Sequence, residues 1–232
     1  FGALLLVGFL FALPPLVTLA RADIPITLAV VVGICSIIAL SQLAVALVNL
    51  FASLTVTPQP LPRMDFRNGI APQAQTLVVV PSLLGSTMEA NELVDELEIR
   101  FLANRDPNIR FALLTDFTDW SAQEKPSDEA ILGVACAGIA TLNARHATPD
   151  ADVFFLLHRA RRWCESERSW IGFERKRGKL GELNAVLRGH GIERFSRIVG
   201  DISQLRDTRY IVTLDADTQL PRNAARELVA TM

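Results

Sequence analysis

The sequence has few cysteines, no charge excess and almost no charge over its first quarter. Its three cysteines, Cys35, Cys136 and Cys164, stand in neither CxxC nor CxxH spacing, so the sequence predicts no disulfide framework and no zinc site. Lys and Arg number 23 against 25 Asp and Glu. This balance lacks the basic excess of nucleic-acid-binding proteins, and we expect no nucleic-acid partner. Only two charged residues precede residue 57, which indicates an apolar environment for that part.

The uncharged N-terminal part contains two long apolar runs, residues 1–20 and 24–54. About 20 apolar residues in a helix are enough to cross the hydrocarbon core of a bilayer. Residues 1–54 are therefore predicted to form two transmembrane helices that pack as a hairpin in the lipid bilayer. A cleavable signal peptide is the alternative for the first run, but that run lacks a basic start and a second span follows it directly. Arg63 and Arg67 follow the second span, so the positive-inside tendency predicts that the remaining chain is cytoplasmic.

The remaining chain has a different pattern. Residues 55–75 hold four prolines and no apolar period, which predicts a juxtamembrane linker. From residue 76 apolar strands alternate with amphipathic helices, and this order predicts an α/β domain with a mostly parallel sheet. Ligands of such sheets lie beyond the C-terminal ends of the strands. The predicted strands are 76–85, 109–117, 151–159 and 208–217, and the predicted helices are 88–105, 125–146, 178–189 and 221–232.

Two carboxylates end the fourth predicted strand, Asp215 and Asp217 in LDADTQLP. Mg²⁺ and Mn²⁺ prefer oxygen ligands, and proteins often bind Mg²⁺ through one or two carboxylates together with substrate phosphates. The motif therefore predicts a divalent metal site that also serves a phosphorylated substrate. The alternative is that the two acids only cap a turn or the next helix.

A basic, glycine-containing segment precedes that strand. Lys179, Gly181, Leu183 and Asn184 form the spacing K-x-G-x-L-N, directly after the basic residues 175–177. The free N–H groups and the dipole at a helix N-terminus favour anions, so this segment is predicted to bind a phosphate. The alternative is a solvated basic face at the start of a helix.

Together these motifs resemble a known family. K-x-G-x-L-N followed by a strand that ends in DxD resembles the processive GT-A glycosyltransferases, the cellulose and hyaluronan synthase group. The stretches LLHRARRW, WIGFERKRGKLGELNAVLRG and YIVTLDADTQLPR resemble more closely the glucosyltransferase domain of the cyclic β-1,2-glucan synthases. The resemblance implies that residues 76–232 are the N-terminal part of a GT-A domain, a Rossmann-like nucleotide-sugar-binding fold, truncated at its C-terminus. It also implies a multi-pass protein of the bacterial inner (plasma) membrane.

The resemblance further implies an activity and roles for individual residues. The expected reaction is inverting transfer of glucose from UDP-glucose to a growing β-1,2-linked, cyclic glucan, with Mg²⁺ or Mn²⁺. Asp215 and Asp217 are then the catalytic residues that hold the metal and the diphosphate. Lys179 and Asn184 are expected near the donor, and Asp116 or Asp119, at the end of the second strand, is expected to contact the uracil.

Two parts of that machinery are missing from residues 218–232. Inverting transfer needs a general base for the acceptor hydroxyl, and processive members carry a Q-x-x-R-W motif after the DxD strand. Neither is recognisable there. We therefore expect this segment to be inactive alone and to act with the rest of its parent polypeptide.

Several alternative functions remain open from the residues. One is another bacterial polysaccharide synthase that uses the same donor. A second is a phosphotransferase of the haloacid-dehalogenase type, in which Asp215 would be the nucleophile. A third is a transferase-like membrane module without catalysis. Trp163 and Trp170 flank a polar stretch, and such residues are typical either of stacking on sugar rings or of ordinary packing.

Overall fold

The computed structural model describes residues 25–57, 59, 62–146 and 151–232. The chain divides into two units, residues 1–61 and residues 62–232. The first predicted span, residues 1–20, lies outside the described residues.

The first unit contains one described helix, α1 (Ile26–Thr55). Its 30 residues make it about 45 Å long at 1.5 Å per residue. Within the described part of the chain it is the one helix long and apolar enough to cross a membrane, judged by length and composition. Its bounds agree with the second predicted span, 24–54, to within two residues.

The second unit is an α/β fold built on a five-stranded sheet. The strands lie in the order β6-β3-β2-β1-β7, with β6 antiparallel to β3 and the other neighbours parallel. A separate two-stranded hairpin, β4-β5, follows β3 in the chain. The strands are β1 (Thr76–Leu84), β2 (Ile109–Phe117), β3 (Phe154–Arg159), β4 (Arg162–Cys164), β5 (Ser169–Ile171), β6 (Arg197–Val199) and β7 (Tyr210–Thr213); the helices are α2 (Thr87–Ala103), α3 (Asp128–His146), α4 (Arg175–Leu187) and α5 (Ala224–Ala230).

The sheet is buried on both faces, which explains why its central strands read as continuous apolar runs. Alternate residues of β1 point to opposite sides, so Val78 and Val80 enter one core cluster and Leu77 and Val79 enter the other. The first cluster includes side chains of α2, α3 and α5, whereas α4 packs on the opposite face. Three helices therefore cover one face of the sheet, and α4 covers the other.

The predicted α/β class with a mostly parallel sheet is confirmed, and all four predicted parallel strands are present. The three short strands β4, β5 and β6 were not predicted, because three residues are too few to show an alternating pattern. Part of the predicted linker 55–75 belongs to the folded unit, since Phe66, Ile70 and Ala74 are buried in the first core cluster. These apolar residues dock residues 62–75 on the sheet.

The order in which the chain adds parallel strands to the sheet reverses at β1. The chain moves from β1 to β2 and β3 on one side, and β7 then pairs with the other side of β1. Ligands of open α/β sheets bind at such a switch point. Pairing of β1 with β7 ends at Val79↔Thr213, with Leu214 N donating to Val79 O at 2.9 Å.

Pro81 explains why this pairing stops. Residues two apart in a strand direct their backbone groups to the same side, so Pro81 faces β7 as Val79 does. Proline has no N–H to donate and cannot extend the ladder. The chain after β7 is therefore released from β1, and a crevice opens between their C-terminal ends.

Candidate active site

A cleft of about 340 Å³ lies at this C-terminal edge of the sheet. Its walls are the end of β1, the end of β2 with the loop that follows, and the first turns of α4. It contains two acidic and three basic side chains, which suits a polar, charged ligand. The lining residues are Pro81, Ser82, Leu83, Asp116, Asp119, Gly172, Arg175, Lys176, Lys179 and Ala216.

The DxD acids lie in a tight turn beside this cleft. The sequence had instead placed them inside the predicted strand 208–217. β7 ends at Thr213, and Thr218 N donates to Asp215 O at 3.0 Å to close the turn. Both carboxylates are exposed; the side chain of Asp215 is 64% exposed and is paired with Lys176 of α4. The two acids are thus accessible to a ligand and to ions.

Arg100 of α2 fixes this turn from behind, a role that sequence reasoning missed. Its guanidinium is buried and donates to the carbonyl oxygens of Ala216 and Thr218. One helical turn later, Asn104 donates to Leu220 O at 3.3 Å and accepts from Ala225 N at 3.0 Å. The available signal was a charged residue at a core-facing position of the helix.

Asp116 and Lys179 meet in a buried ionic cluster at the floor of the cleft. Arg159 makes a two-pronged contact with Asp116, at 2.7 and 2.8 Å, and reaches Glu182 at 3.0 Å. Lys179 Nζ lies 3.1 Å from Asp116 Oδ2 and donates to Ser82 O at 2.7 Å. Side chains in this cluster are at most 8% exposed, so each charge depends on its partners.

This environment shifts the two bases in opposite directions. Burial lowers the pKa of Lys179, and the nearby Asp116 opposes that shift only in part. Burial also disfavours charged Arg159, but its hydrogen bonds with Asp116 and Glu182 raise its pKa above the ordinary value. Arg159 therefore holds a fixed positive charge, which makes Asp116 a structural anchor for the cleft floor.

The other residues that were predicted to contact the donor substrate differ in their placement. Asp119 lines the cleft, is 35% exposed at its side chain and pairs with Arg175 at 2.9 Å. Asn184 is exposed on α4 and is not among the cleft-lining residues, since five residues from Lys179 turn it about 140° around the helix. The structure thus brings Asp116, Asp119 and Lys179 together beside Asp215 and leaves Asn184 apart.

Two glycines permit this packing. A Cβ on Gly172 would lie 2.3 Å from Asp116 Oδ2, and one on Gly178 would lie 2.1 Å from the carbonyl oxygen of Phe173. That same carbonyl accepts from Arg159 at 3.1 Å. Gly181, the glycine of the K-x-G-x-L-N motif, has open space around it. Close packing at the start of α4 therefore depends on Gly178.

Replacing Gly178 and Gly181, the two glycines within α4, is expected to have opposite effects. Gly178→Ala should lower the free energy of unfolding by about 1–3 kcal/mol, because the new methyl group overlaps a backbone oxygen. Gly181→Ala should raise it by about 0.5–1 kcal/mol, since alanine is the better helix residue. Urea unfolding followed by tryptophan fluorescence measures both, because all three tryptophans lie in the second unit. Equal effects of the two changes would rule out the steric explanation.

The carboxylates of Asp215 and Asp217 could bind a metal ion together with a ligand. Within the described residues no three His, Cys, Asp or Glu side chains converge on one point, whereas Asp215 and Asp217 lie in one accessible turn. A divalent ion commonly takes one or two carboxylates and completes its shell with substrate phosphates and water. The two acids fit such a shared ion, and in this structure Lys176 is the cation that pairs with Asp215.

Comparison with known proteins adds an independent finding. No family model matches the chain. Over 192 residues, 83% of its length, it is 42% identical to the Cyclic beta-(1,2)-glucan synthase NdvB of Rhizobium meliloti (strain 1021). The chain is homologous to a segment of a cyclic β-1,2-glucan synthase. The resemblance read from the motifs is thereby confirmed. The chain spans 7% of the length of this synthase.

Proposed function

We propose that the chain is part of a membrane-bound glucosyltransferase that moves glucose from UDP-glucose to a growing β-glucan. The observation that carries the proposal is the cleft at the switch point of the sheet, beside which Asp215 of the DxD turn pairs with Lys176 in the first turn of α4. The homology with NdvB supports the glycosyltransferase class and, by the name of that protein, a β-1,2-linked product. In this proposal α1 anchors the domain in the plasma membrane.

The charges of the cleft suit a nucleoside diphosphate sugar. Lys176 and Arg175 are exposed cations at the start of α4, and the helix N-terminus adds its own preference for anions. We assign the diphosphate to this end of the cleft, with Asp215 and Asp217 as ligands of a shared Mg²⁺ or Mn²⁺. When bound, such an ion would neutralise the negative charge that develops on the departing diphosphate.

The nucleobase is assigned to the side of the cleft lined by Asp119, which pairs with Arg175 at 2.9 Å. Asp116 is committed to Arg159 and Lys179, whereas Asp119 keeps an accessible carboxylate that can accept from a base N–H. We therefore choose Asp119 for the uracil contact and give Asp116 and Lys179 the role of a rigid floor. Asn184 lies outside the cleft and receives no donor contact in this assignment.

Incorporation of labelled glucose tests the proposed function. Membranes that carry the full-length polypeptide containing this segment should transfer glucose from UDP-[¹⁴C]glucose to a glucan, and addition of EDTA should abolish the transfer. Excess unlabelled UDP should compete, whereas excess GDP should compete less well if the base is read at Asp119. No incorporation above membranes lacking the polypeptide would refute the proposal. A hydroxylamine-sensitive phosphoenzyme would instead support the phosphotransferase alternative, in which Asp215 is phosphorylated.

A further inference from the structure

The three tryptophans of the chain lie on neighbouring backbone segments, two in the β4-β5 hairpin and one in the loop after β2. Trp163 and Trp170 are direct partners across the β4-β5 hairpin. Trp120 pairs with the other side of Trp170, and the two backbones exchange N–H···O bonds of 3.0 Å in both directions. Directly opposed residues of antiparallel strands project to the same face. The three indoles therefore form a row, here called the tryptophan row (Trp120, Trp170, Trp163).

The row is open to its surroundings. Trp120 is 42% exposed and Trp163 is 47% exposed, with the half-buried Trp170 between them. The rings of Trp163 and Trp170 lie 6.0 Å apart at their centroids and are tilted by 63°. Burying an exposed aromatic side chain is favourable, so two exposed indoles on either side of Trp170 point to a binding surface.

The backbone that carries the row is held rigidly. Arg161 is fully buried and binds Asp128 at 2.5 and 3.1 Å. The same guanidinium donates to the carbonyl oxygens of Thr118 at 2.6 Å and Gln123 at 3.0 Å, which fixes the loop on both sides of Trp120. A ligand would thus meet indoles that are already in place and would lose less entropy on binding.

The row continues from the rim of the candidate active site. Asp119 lines the cleft and directly precedes Trp120. Arg175, another cleft residue, bridges Asp119 at 2.9 Å and Glu167 of the hairpin loop at 2.7 Å. The tryptophan row therefore begins beside the part of the cleft that is assigned to the nucleobase.

We propose that the tryptophan row binds a segment of the glucan chain, at a subsite separate from the place where glucose is transferred. A pyranose ring has apolar C–H faces, which suit indole faces, and hydroxyl edges, which need polar partners. Glu165, Glu167 and Lys125 supply such partners at the rim; Glu165 accepts from Trp163 Nε1 at 2.7 Å, and Lys125 Nζ lies 4.8 Å from the Trp120 ring centroid. A hydrocarbon surface would strip water from these charges without replacing it, and this favours the sugar.

The size of the row sets the size of the ligand. Neighbouring partners are about 5 Å apart across a sheet, so three tryptophans span about 10 Å. This length matches an oligosaccharide of two or more rings better than a single glucose. The assignment rests on the proposed function, since it makes the row a glucan-binding surface beside that cleft, but binding to the row can be measured without donor, metal or transfer.

Tryptophan fluorescence reports on this surface alone, because the chain has no other tryptophan. The 232-residue chain, in a detergent without a sugar headgroup, is titrated with β-1,2-linked gluco-oligosaccharides of two to six rings. We expect a saturable change in emission that strengthens with chain length. Trp163→Ala and Trp120→Ala should each weaken the affinity roughly fivefold, which corresponds to about 1 kcal/mol for one aromatic contact.

Matched variants separate this proposal from its alternatives. Trp163→Phe should keep most of the affinity and the fold, and Phe173→Ala, an exposed aromatic outside the row, should keep all of it. Asp215→Asn with Asp217→Asn should also leave oligosaccharide affinity unchanged, so a failure of the donor assignment would be seen separately. Absence of saturable binding, or equal affinity in the wild type and the row variants, would overturn the proposal. An emission shift with phosphatidylglycerol vesicles but not with oligosaccharides would overturn it in favour of a bilayer contact.

Discussion

Replacing Asp215 and Asp217 together by asparagine is expected to weaken Mn²⁺-dependent UDP binding by the 232-residue chain at least tenfold. Each charge-assisted contact contributes about 1.5–3 kcal/mol, and about 1.4 kcal/mol corresponds to a factor of ten in affinity. Asparagine keeps the size of aspartate and its turn-forming ability, so the turn held by Arg100 should persist. Isothermal titration of each chain with UDP, with and without Mn²⁺, measures the effect.

A charge-matched variant is the control for this double substitution. Asp95→Asn with Asp207→Asn removes two exposed acids that do not line the cleft, so the net charge changes by the same amount. Its UDP affinity should equal that of the wild type. If both double variants lost the same affinity, the effect would be one of overall charge, and the assigned role of the DxD turn would be wrong.

Replacing Arg159 by methionine is expected to lower the free energy of unfolding by about 3–5 kcal/mol. Removal of one partner from a buried ionic cluster leaves the other charges uncompensated, which costs about that much. Here Asp116 would keep only Lys179, and Glu182 would lose its closest partner. Urea unfolding followed by tryptophan fluorescence measures the loss.

Arg177→Met is the matched control for that change. The side chain of Arg177 is 90% exposed, and its Nε lies 3.9 Å from Glu174 Oε2. Exposed ion pairs of this kind contribute about 0–1 kcal/mol to the free energy of unfolding. We expect little change in its unfolding free energy. A loss below about 1 kcal/mol for Arg159→Met would contradict the anchoring role of the cluster, because it would place Arg159 in the range of surface pairs.

The sequence predicted best what depends on local pattern. The strands β1, β2 and β3 are buried on both faces and therefore show as continuous apolar runs. The acids after β7 lie at the C-terminal edge of the sheet, as the predicted parallel strands imply, and their role stays a prediction. The GT-A assignment and the first transmembrane span stay predictions, and the second span agrees with the apolar helix α1.

What the sequence could not predict depends on contacts between distant residues. Arg100 reaches the turn at residues 216–218 across more than a hundred positions, and nothing local marks that contact. The tryptophan row joins three residues that are brought together only by the loop after β2 and the hairpin after β3. The same limit applies to α4. The motif glycine Gly181 has open space around it, whereas Gly178 packs against the carbonyl oxygen of Phe173.

The most direct test compares glucose incorporation by membranes that carry the full-length polypeptide in wild-type form and with Asp215→Asn and Asp217→Asn. Loss of preorganised charge at a reacting group commonly costs about 100-fold or more in rate. With equal amounts of both polypeptides in the membranes, we predict UDP-glucose-dependent, metal-dependent glucan synthesis in the wild type and a loss of that size in the variant. Glucan synthesis at the same rate in both membranes would contradict the account.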